Sequence, residues 1–302
     1  MIPKVYTFRA MGTLCSLHLF AESEARAGVL GAMAVAEVDR IERKFSRYDQ
    51  SSSLSIINRK AAIGETVRVD EEMAGLLDFA VACFEKSDGL FDITSGILRR
   101  AWNFASDRLP TDGSIASLLP RIGMDKLVWR SPDLSFSVAG MELDFGGIGK
   151  EYAVDRLASL LAAEGVTQGM IDLGGDFFVL GPHPGGNAWQ IGLRDPDNPG
   201  QLTDAVAISS GALATSGDYE RCLTVDGRRY GHILDPRTGW PARGLSSVTV
   251  LAPQCMVAGA MSTIAILKGS DGAKWLSGLG VPHRWVDELG RQGGELPGVS
   301  PI

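Results

Sequence analysis

The chain has 302 residues, 45% hydrophobic and 22% charged, with 29 Lys and Arg against 36 Asp and Glu for a formal net charge of −7. Such a chain can bury a sizeable core, and its acidic balance argues against a broad nucleic-acid-binding surface, which needs clustered Lys and Arg. No apolar run approaches the ~18–20 residues that span a bilayer.

The N-terminal MIPKVYTFRAMGT alternates like a strand and lacks the charged-then-apolar order of a secretory leader. As written, the chain is expected in the cytoplasm, or in the periplasm if a leader has been removed. Residues 5–20 read as strand, a turn at Met11-Gly12-Thr13, and strand. A helix is expected over 24–45, with Val29, Met33, Ala36, Ile41 and Phe45 on one face. FSRYDQSSSLSIINR is a polar loop entering a short helix, with serines suited to its N-cap. A short strand at 66–69 precedes a helix that Asp70 caps and that runs through Phe84, with an apolar stripe of Met73, Leu76, Leu77, Ala80 and Phe84. SDGLFDITSG turns into a helix expected at about 95–104, residues 106–114 form a surface excursion, and strands are expected at 126–130 and 135–145. A helix follows over about 150–163, and MIDLGGDFFVLG reads as strand, glycine turn, strand. WQIGLRDP and DAVAISSGALATSG supply further strands, RCLTVDGRRYGHIL is a hairpin turning at Asp226-Gly227, SSVTVLA is a strand, and 254–267 is an apolar helix. Strands and helices interleave while many neighbouring strands are hairpin-linked, so the expected class is α+β, with mixed sheets and packed helices. The chain is expected to form a single domain over 1–302, or two intimately packed α/β halves. Cys15, Cys83, Cys222 and Cys255 lie far apart with no C-x-x-C pair, which reads as free thiols and neither a disulfide framework nor a zinc site.

Four stretches carry chemistry. In LDFGGIGKEYAVDR, Gly146, Gly147 and Gly149 permit close backbone approach, a helix N-terminus adds its dipole, and Lys150 adds charge; together these suit a phosphate. The pattern is neither a Walker loop nor G-x-G-x-x-G. A tight strand-to-helix turn with a solvated lysine is the structural alternative. Asp144 either accepts hydrogen bonds from a nucleotide or caps the helix. MIDLGGDF brings a second glycine turn, Gly174-Gly175, ending in Asp176. Around His232, in a strand pattern, Asp218, Tyr219, Arg221, Asp235 and Arg237 are polar groups that converge if one hairpin carries them all, and a histidine there suits general-base work near neutral pH. In the helix QCMVAGAMSTIAILKG, Gly259 and Thr263 share a face. The Thr263 hydroxyl either bonds back to its own helix or is presented to a metal or phosphate.

In their order, the motifs MGT, FSRYDQSSSLSIIN, GLFDITSG, LDFGGIGKEYAVD, MIDLGGD, SGDYER, HILDPRTG and AMST resemble the ApbE family, the FAD:protein FMN transferases, from Met11 to about Lys268. The resemblance implies that the chain takes FAD as substrate with a divalent metal, usually Mg²⁺, cleaves the pyrophosphate, transfers FMN to a Thr or Ser hydroxyl of an acceptor flavoprotein of a membrane redox complex or related electron-transfer protein, and releases AMP. Carried over by position, it implies that Met11, Tyr48, Leu90, Phe91, Asp92, Asp144, Lys150 and Ile233 line the FAD site. It further implies that Gly147 and Thr263 offer oxygens to the metal and that His232 is the base.

The resemblance breaks at two positions. The family usually carries Asp where this chain has Gly259, and that carboxylate is a metal ligand; it tends to carry Gly where Glu151 stands. Either Glu151 or another acid such as Asp176 replaces the missing ligand and transfer survives, or the metal site is weak and the protein binds FAD as a carrier. Hydrolysis of FAD to FMN and AMP is the alternative chemistry of the same site. The absence of a dinucleotide fingerprint argues against a redox enzyme with a nicotinamide partner.

Overall fold

The N-terminal alternation becomes a hairpin in which β1 (Ile2–Ala10) pairs with β2 (Thr13–Ala21) from end to end. This computed structural model describes residues 1–302, apart from the side chain of residue 61. The turn residues Met11 and Gly12 have φ of 52° and 74°, the left-handed backbone that a two-residue hairpin loop needs to match strand twist. For Met11 this is an uncommon conformation.

Helix α1 (Glu24–Phe45) starts at Ser23, whose Oγ accepts the Arg26 N–H at 3.2 Å. Its buried face is Leu30, Ala34, Val38, Ile41 and Phe45, so the expected stripe through Val29, Met33 and Ala36 was placed off to one side; Val29 is 51% exposed. Alanines and valines on several sides of this helix blur its period. The serine-rich loop enters α2 (Ser53–Ala62), and Ser52 Oγ accepts the Ser55 N–H. A short strand β3 (Val67–Arg68) leads to Asp70, which caps α3 (Glu71–Lys86), and Met73, Leu76, Leu77 and Ala80 are buried as expected.

The next segment departs from expectation. Residues Ile93–Arg100 form a 3₁₀ helix where an α-helix over 95–104 was expected. Asp92 starts it early, accepting the Thr94 N–H at 2.7 Å. After α4 (Asp112–Ala116) come β4 (Leu127–Arg130) and β5 (Asp133–Phe136). The strand expected over 135–145 stops at Phe136. Leu143 instead exchanges backbone hydrogen bonds with the Asn58 side chain, at 2.7 and 3.0 Å, and the Asp144 N–H donates to the Ile93 carbonyl at 2.8 Å. A side chain from α2 and the first carbonyl of the 3₁₀ segment thus supply the partners that a neighbouring strand would otherwise provide.

The remaining elements are α5 (Gly149–Ala163), β6 (Gly169–Leu173), β7 (Phe177–Gly181), β8 (Trp189–Arg194), β9 (Leu202–Ile208) and β10 (Gly211–Gly217). A hairpin of β11 (Cys222–Val225) and β12 (Arg228–Gly231) follows, then β13 (Leu245–Ala252), α6 (Cys255–Leu267) and α7 (Gly272–Gly278). The chain closes with β14 (His283–Asp287), β15 (Gln292–Gly293) and β16 (Val299–Pro301). Eight strands make an antiparallel sheet in the order β1-β2-β6-β7-β10-β13-β14-β15. Helix α1 packs on β1 and β2, α5 on β6 and β7, and α6 on β10 and β13, with α5 touching both other helices. They form one layer across one face. Alternation along β10 sends Ala212 and Ala214 into the core under these helices and Leu213 to the other face. There a three-stranded sheet, β16-β9-β8, covers it through Ile191, Val206 and Trp189. A third cluster, built on Ile97, Leu98, Trp102, Ile115 and Leu223, joins the 3₁₀ segment to the β11–β12 hairpin. The four cysteines are free thiols.

Candidate active site

The glycine-rich turn between residue 144 and α5 lies in the wall of a two-lobed cleft. The smaller lobe, about 180 Å³, is lined by Leu90, Phe91, Asp92, Gly147, Glu151, Asp176, Ser216, Ile233 and Thr263 among others. The larger, about 850 Å³, carries Met11, Tyr48, Gly174, Gly175, Arg194 and Arg221. Arg99, Asp144, Gly146, Lys150, Glu220 and His232 border both lobes. Every residue that the resemblance assigns to the FAD site, the metal or the base therefore lies on this one cleft, whose larger lobe alone has the volume of a cofactor site. Asp218, Asp235 and Arg237 do not join it. Asp218 turns to Arg229 at 3.0 Å, and Asp235 and Arg237 pair with each other at 2.8 Å across their own turn. His232 itself follows the end of β12 at Gly231, so it leaves the strand before entering the cleft.

Asp144 is held from three sides. Its Oδ1 accepts the Gly146 N–H at 2.9 Å, and its Oδ2 accepts from Arg47 Nη1 at 2.9 Å, with Arg99 Nη2 at 3.5 Å. The approach is close because residue 96 is glycine: a Cβ there would lie 2.2 Å from the Asp144 Cβ. Arg47, Arg99 and Gly96 went unnamed as functional candidates in the sequence, and the motifs FSRYDQ and ITSG were the signal that carried two of them. Arg99 also donates to the Tyr48 hydroxyl, which fixes an aromatic ring that is 73% exposed at the rim. Asp92 lines the smaller lobe, yet both its oxygens are used internally, by Thr94 and by the Met124 N–H at 3.1 Å. Its carboxylate positions the segment carrying Leu90 and Phe91.

Lys150 Nζ donates to Asp176 Oδ2 at 2.6 Å, so the two glycine turns meet through an ion pair. Burial disfavours the ammonium, but Asp176 and Glu151 outweigh it and raise the Lys150 pKa. Glu151, 6% exposed, has an Oε2 without a hydrogen-bond partner. Burial first, and then Asp176, push its carboxyl up to about 7. Thr263 Oγ1 does not bond back to its own helix. It meets Ser216 Oγ on β10 at 2.9 Å, and Ser216 in turn meets Ser262 Oγ at 2.8 Å, while Ser262 donates to the Gly259 carbonyl at 3.0 Å. Ser262 takes the role of back-bonding hydroxyl, which leaves Thr263 on the cleft. His232 has a buried Nδ1 without a partner. Burial, followed by the Arg221 and Arg99 guanidinium groups, lowers its pKa to about 4. The ring is therefore neutral at pH 7 and able to accept a proton.

Among the described residues no group of three or more His, Cys, Asp or Glu side chains is arranged to hold a metal ion. The oxygens near Glu151 are of mixed type: a carboxylate, the Thr263 and Ser216 hydroxyls, and the backbone at Gly147. Such oxygen donors suit a hard divalent cation that keeps further positions for phosphate oxygens.

A family model, the ApbE family, matches residues 11–282. The FAD:protein FMN transferase of Treponema pallidum is 31% identical over 86% of this chain and 77% of its own length. That of Klebsiella pneumoniae is 29% identical over 88% of this chain and 79% of its own. Among solved structures, the ApbE protein of Thermotoga maritima is 33% identical and superposes with a TM-score of 0.88 over 97% of each chain. The flavin transferase ApbE of Vibrio cholerae is 25% identical, with a TM-score of 0.86 over 97% of this chain and 98% of its own. With the family model covering most of the chain and the fold shared almost throughout, the protein belongs to the ApbE family.

Proposed function

We propose that the protein is a FAD:protein FMN transferase: it attaches FMN through a phosphoester to a Thr or Ser of an acceptor flavoprotein and releases AMP. The observation that carries this reading is that His232, Asp144 and Lys150 border both lobes of one cleft, so a two-part substrate can lie across them with its pyrophosphate at the junction. Known relatives bearing that activity share most of the chain's length.

In this reading, Leu90, Phe91 and Ile233 give the flavin end apolar walls, and Met11 and Tyr48 border the larger lobe. The Gly147 backbone N–H and the Lys150 ammonium meet the pyrophosphate, where close donors offset the charge that develops during transfer. The acceptor hydroxyl attacks the FMN phosphorus, the bond to the bridging oxygen breaks, and AMP leaves with that oxygen. His232, neutral beforehand, takes the hydroxyl proton. The Thr263 hydroxyl and the Gly147 carbonyl would help hold a divalent cation such as Mg²⁺. When bound, that ion would neutralise phosphate charge and orient the leaving group. The acceptor is proposed to be a subunit of a membrane redox complex or a related electron-transfer protein.

The test incubates purified protein with FAD, Mg²⁺ and an acceptor domain containing a Thr-bearing target site, following AMP release and the acceptor's mass, with EDTA as control. An acceptor heavier by one FMN unit, with AMP formed only in the presence of metal, supports the reading. AMP and free FMN without acceptor labelling across several acceptors would favour hydrolysis. FAD binding with neither product would favour a carrier.

A further inference from the structure

Helix α6 begins without a cap of its own, since Gln254 supplies no side-chain hydrogen bond. Asp155 on α5 does this work instead, Oδ1 accepting the Cys255 N–H at 2.7 Å and Oδ2 the Met256 N–H at 2.9 Å. One turn earlier on α5, Glu151 lies against Gly259, one turn later on α6. The two helices therefore run antiparallel, and the Asp155 clamp sets their register. A Cβ built on Gly259 would stand 2.5 Å from Glu151 Cγ and 2.8 Å from Oε1. The glutamate side chain thus fills the space that any side chain at 259 would enter.

We infer that Glu151 supplies the carboxylate ligand of a divalent-cation site in the smaller lobe, reaching it from α5 through the gap left by Gly259, so that residues 151 and 259 act as one exchangeable unit. Three observations carry this. Glu151 is more than nine-tenths buried, lines that lobe, and keeps an oxygen with no protein partner, which is costly unless something positive completes it. Asp176, the other acid beside it, is already engaged by Lys150. Thr263 Oγ1 presents a further oxygen, steadied by Ser216. The purpose of the site rests on the transferase reading, but the presence of the cation does not.

The experiment measures Mn²⁺ binding to the full chain by the loss of the free-ion paramagnetic resonance signal, and Mg²⁺ binding by calorimetry, each with and without FAD. Glu151→Gln keeps the shape and removes the charge; it should fold with an unchanged circular dichroism spectrum and weaken Mn²⁺ by at least about tenfold. Gly259→Asp alone should clash with Glu151 and lower the melting temperature. The double variant E151G/G259D, which moves the carboxylate from one helix to the other, should recover Mn²⁺ binding to within a few-fold of the parent. Parent-like Mn²⁺ binding by Glu151→Gln would overturn the inference and leave Glu151 a protonated packing residue, as would a parent protein that binds neither ion with or without FAD. Mn²⁺ bound through Glu151, in a protein that labels no acceptor and releases no AMP, would support this inference and sink the transferase reading.

Discussion

At Asp155 one side chain, through two hydrogen bonds, bears on both stability and the site. Replacing it with Ala strips the first two N–H groups of α6 of their partners in a partly buried setting. Loss of an N-terminal cap costs ~0.5–2 kcal/mol, and the charged acceptor puts this case near the upper end. Burial pushes the Asp155 carboxyl above its ordinary range while the Met256 and Cys255 N–H groups pull it down, so desolvation offsets part of the gain. A net loss of about 2 kcal/mol follows. An unfolding entropy of about 2.1 cal/mol/K per residue, over 302 residues, gives about 0.6 kcal/mol/K and hence a fall of ~3 °C in melting temperature. Asn, which offers one carbonyl oxygen where Asp offers two, should lose about half as much. The assay is differential scanning calorimetry of the parent, Asp155→Asn and Asp155→Ala, with Mn²⁺ titrations of each at 25 °C. Since the clamp sets the register of Glu151 against Gly259, Ala should also weaken Mn²⁺. If Asp155→Ala melts within 1 °C of the parent, or if Asn behaves as the parent does, the two-oxygen clamp is not what fastens α6 to α5.

Further outcomes are open to direct measurement. His232→Ala should lower acceptor labelling ~10²–10⁴-fold while the dissociation constant for FAD, read from flavin fluorescence, moves only a few-fold; an equal loss in binding would make His232 a binding group. With burial and the neighbouring guanidinium groups holding His232 near 4 against an ordinary 6.5, the free enzyme keeps a neutral base as pH falls from 7 to 5. The His232-dependent part of kcat/KM for FAD should then decline only as pH drops through about 4, separately from the loss as the raised Glu151 carboxyl takes its proton, and an acid limb near 6.5 that Ala abolishes would contradict the burial argument. Gly96→Ala drives a Cβ to 2.2 Å from that of Asp144, so it should destabilise by ~1–3 kcal/mol and weaken FAD. Gly113→Ala, where nothing lies within 4 Å, is the control expected to leave FAD binding unchanged and stability the same or slightly higher.

The hairpins, the capped helices and the cleft were largely legible from the chain, because each rests on local signals. Asp70 and the loop serines announce helix starts, Asp226-Gly227 announces a turn, and the motifs mark where backbone meets ligand. What escaped was long-range pairing. Leu143 read as strand because its neighbours alternate, yet its partners are Asn58, 85 residues away in the chain, and no sheet. Asp144 looked like a nucleotide acceptor or a cap, and nothing local pointed to Arg47, 97 residues off, as its counter-ion. The 3₁₀ segment lacks an α-helix's period because Asp92 starts it and Gly96 must press against Asp144. Asp155 lies inside LDFGGIGKEYAVDR with no local sign of a role, since its two partners begin a helix 100 residues later. The sequence offers Glu151 and Asp176 alike as replacements for the acid missing at 259; only the packing of α5 on α6 singles out Glu151.

The steric pairing of Glu151 with Gly259 also constrains how such a site can change over generations. Starting from this chain, a carboxylate gained at 259 collides with one already present, and a carboxylate lost at 151 leaves the lobe without its one carboxylate that keeps an oxygen unpartnered. Each single step is penalised, whereas both together are nearly neutral. The two positions should therefore behave as one inherited character, and relatives should divide into lineages with the acid on α5 and lineages with it on α6, with few intermediates between them.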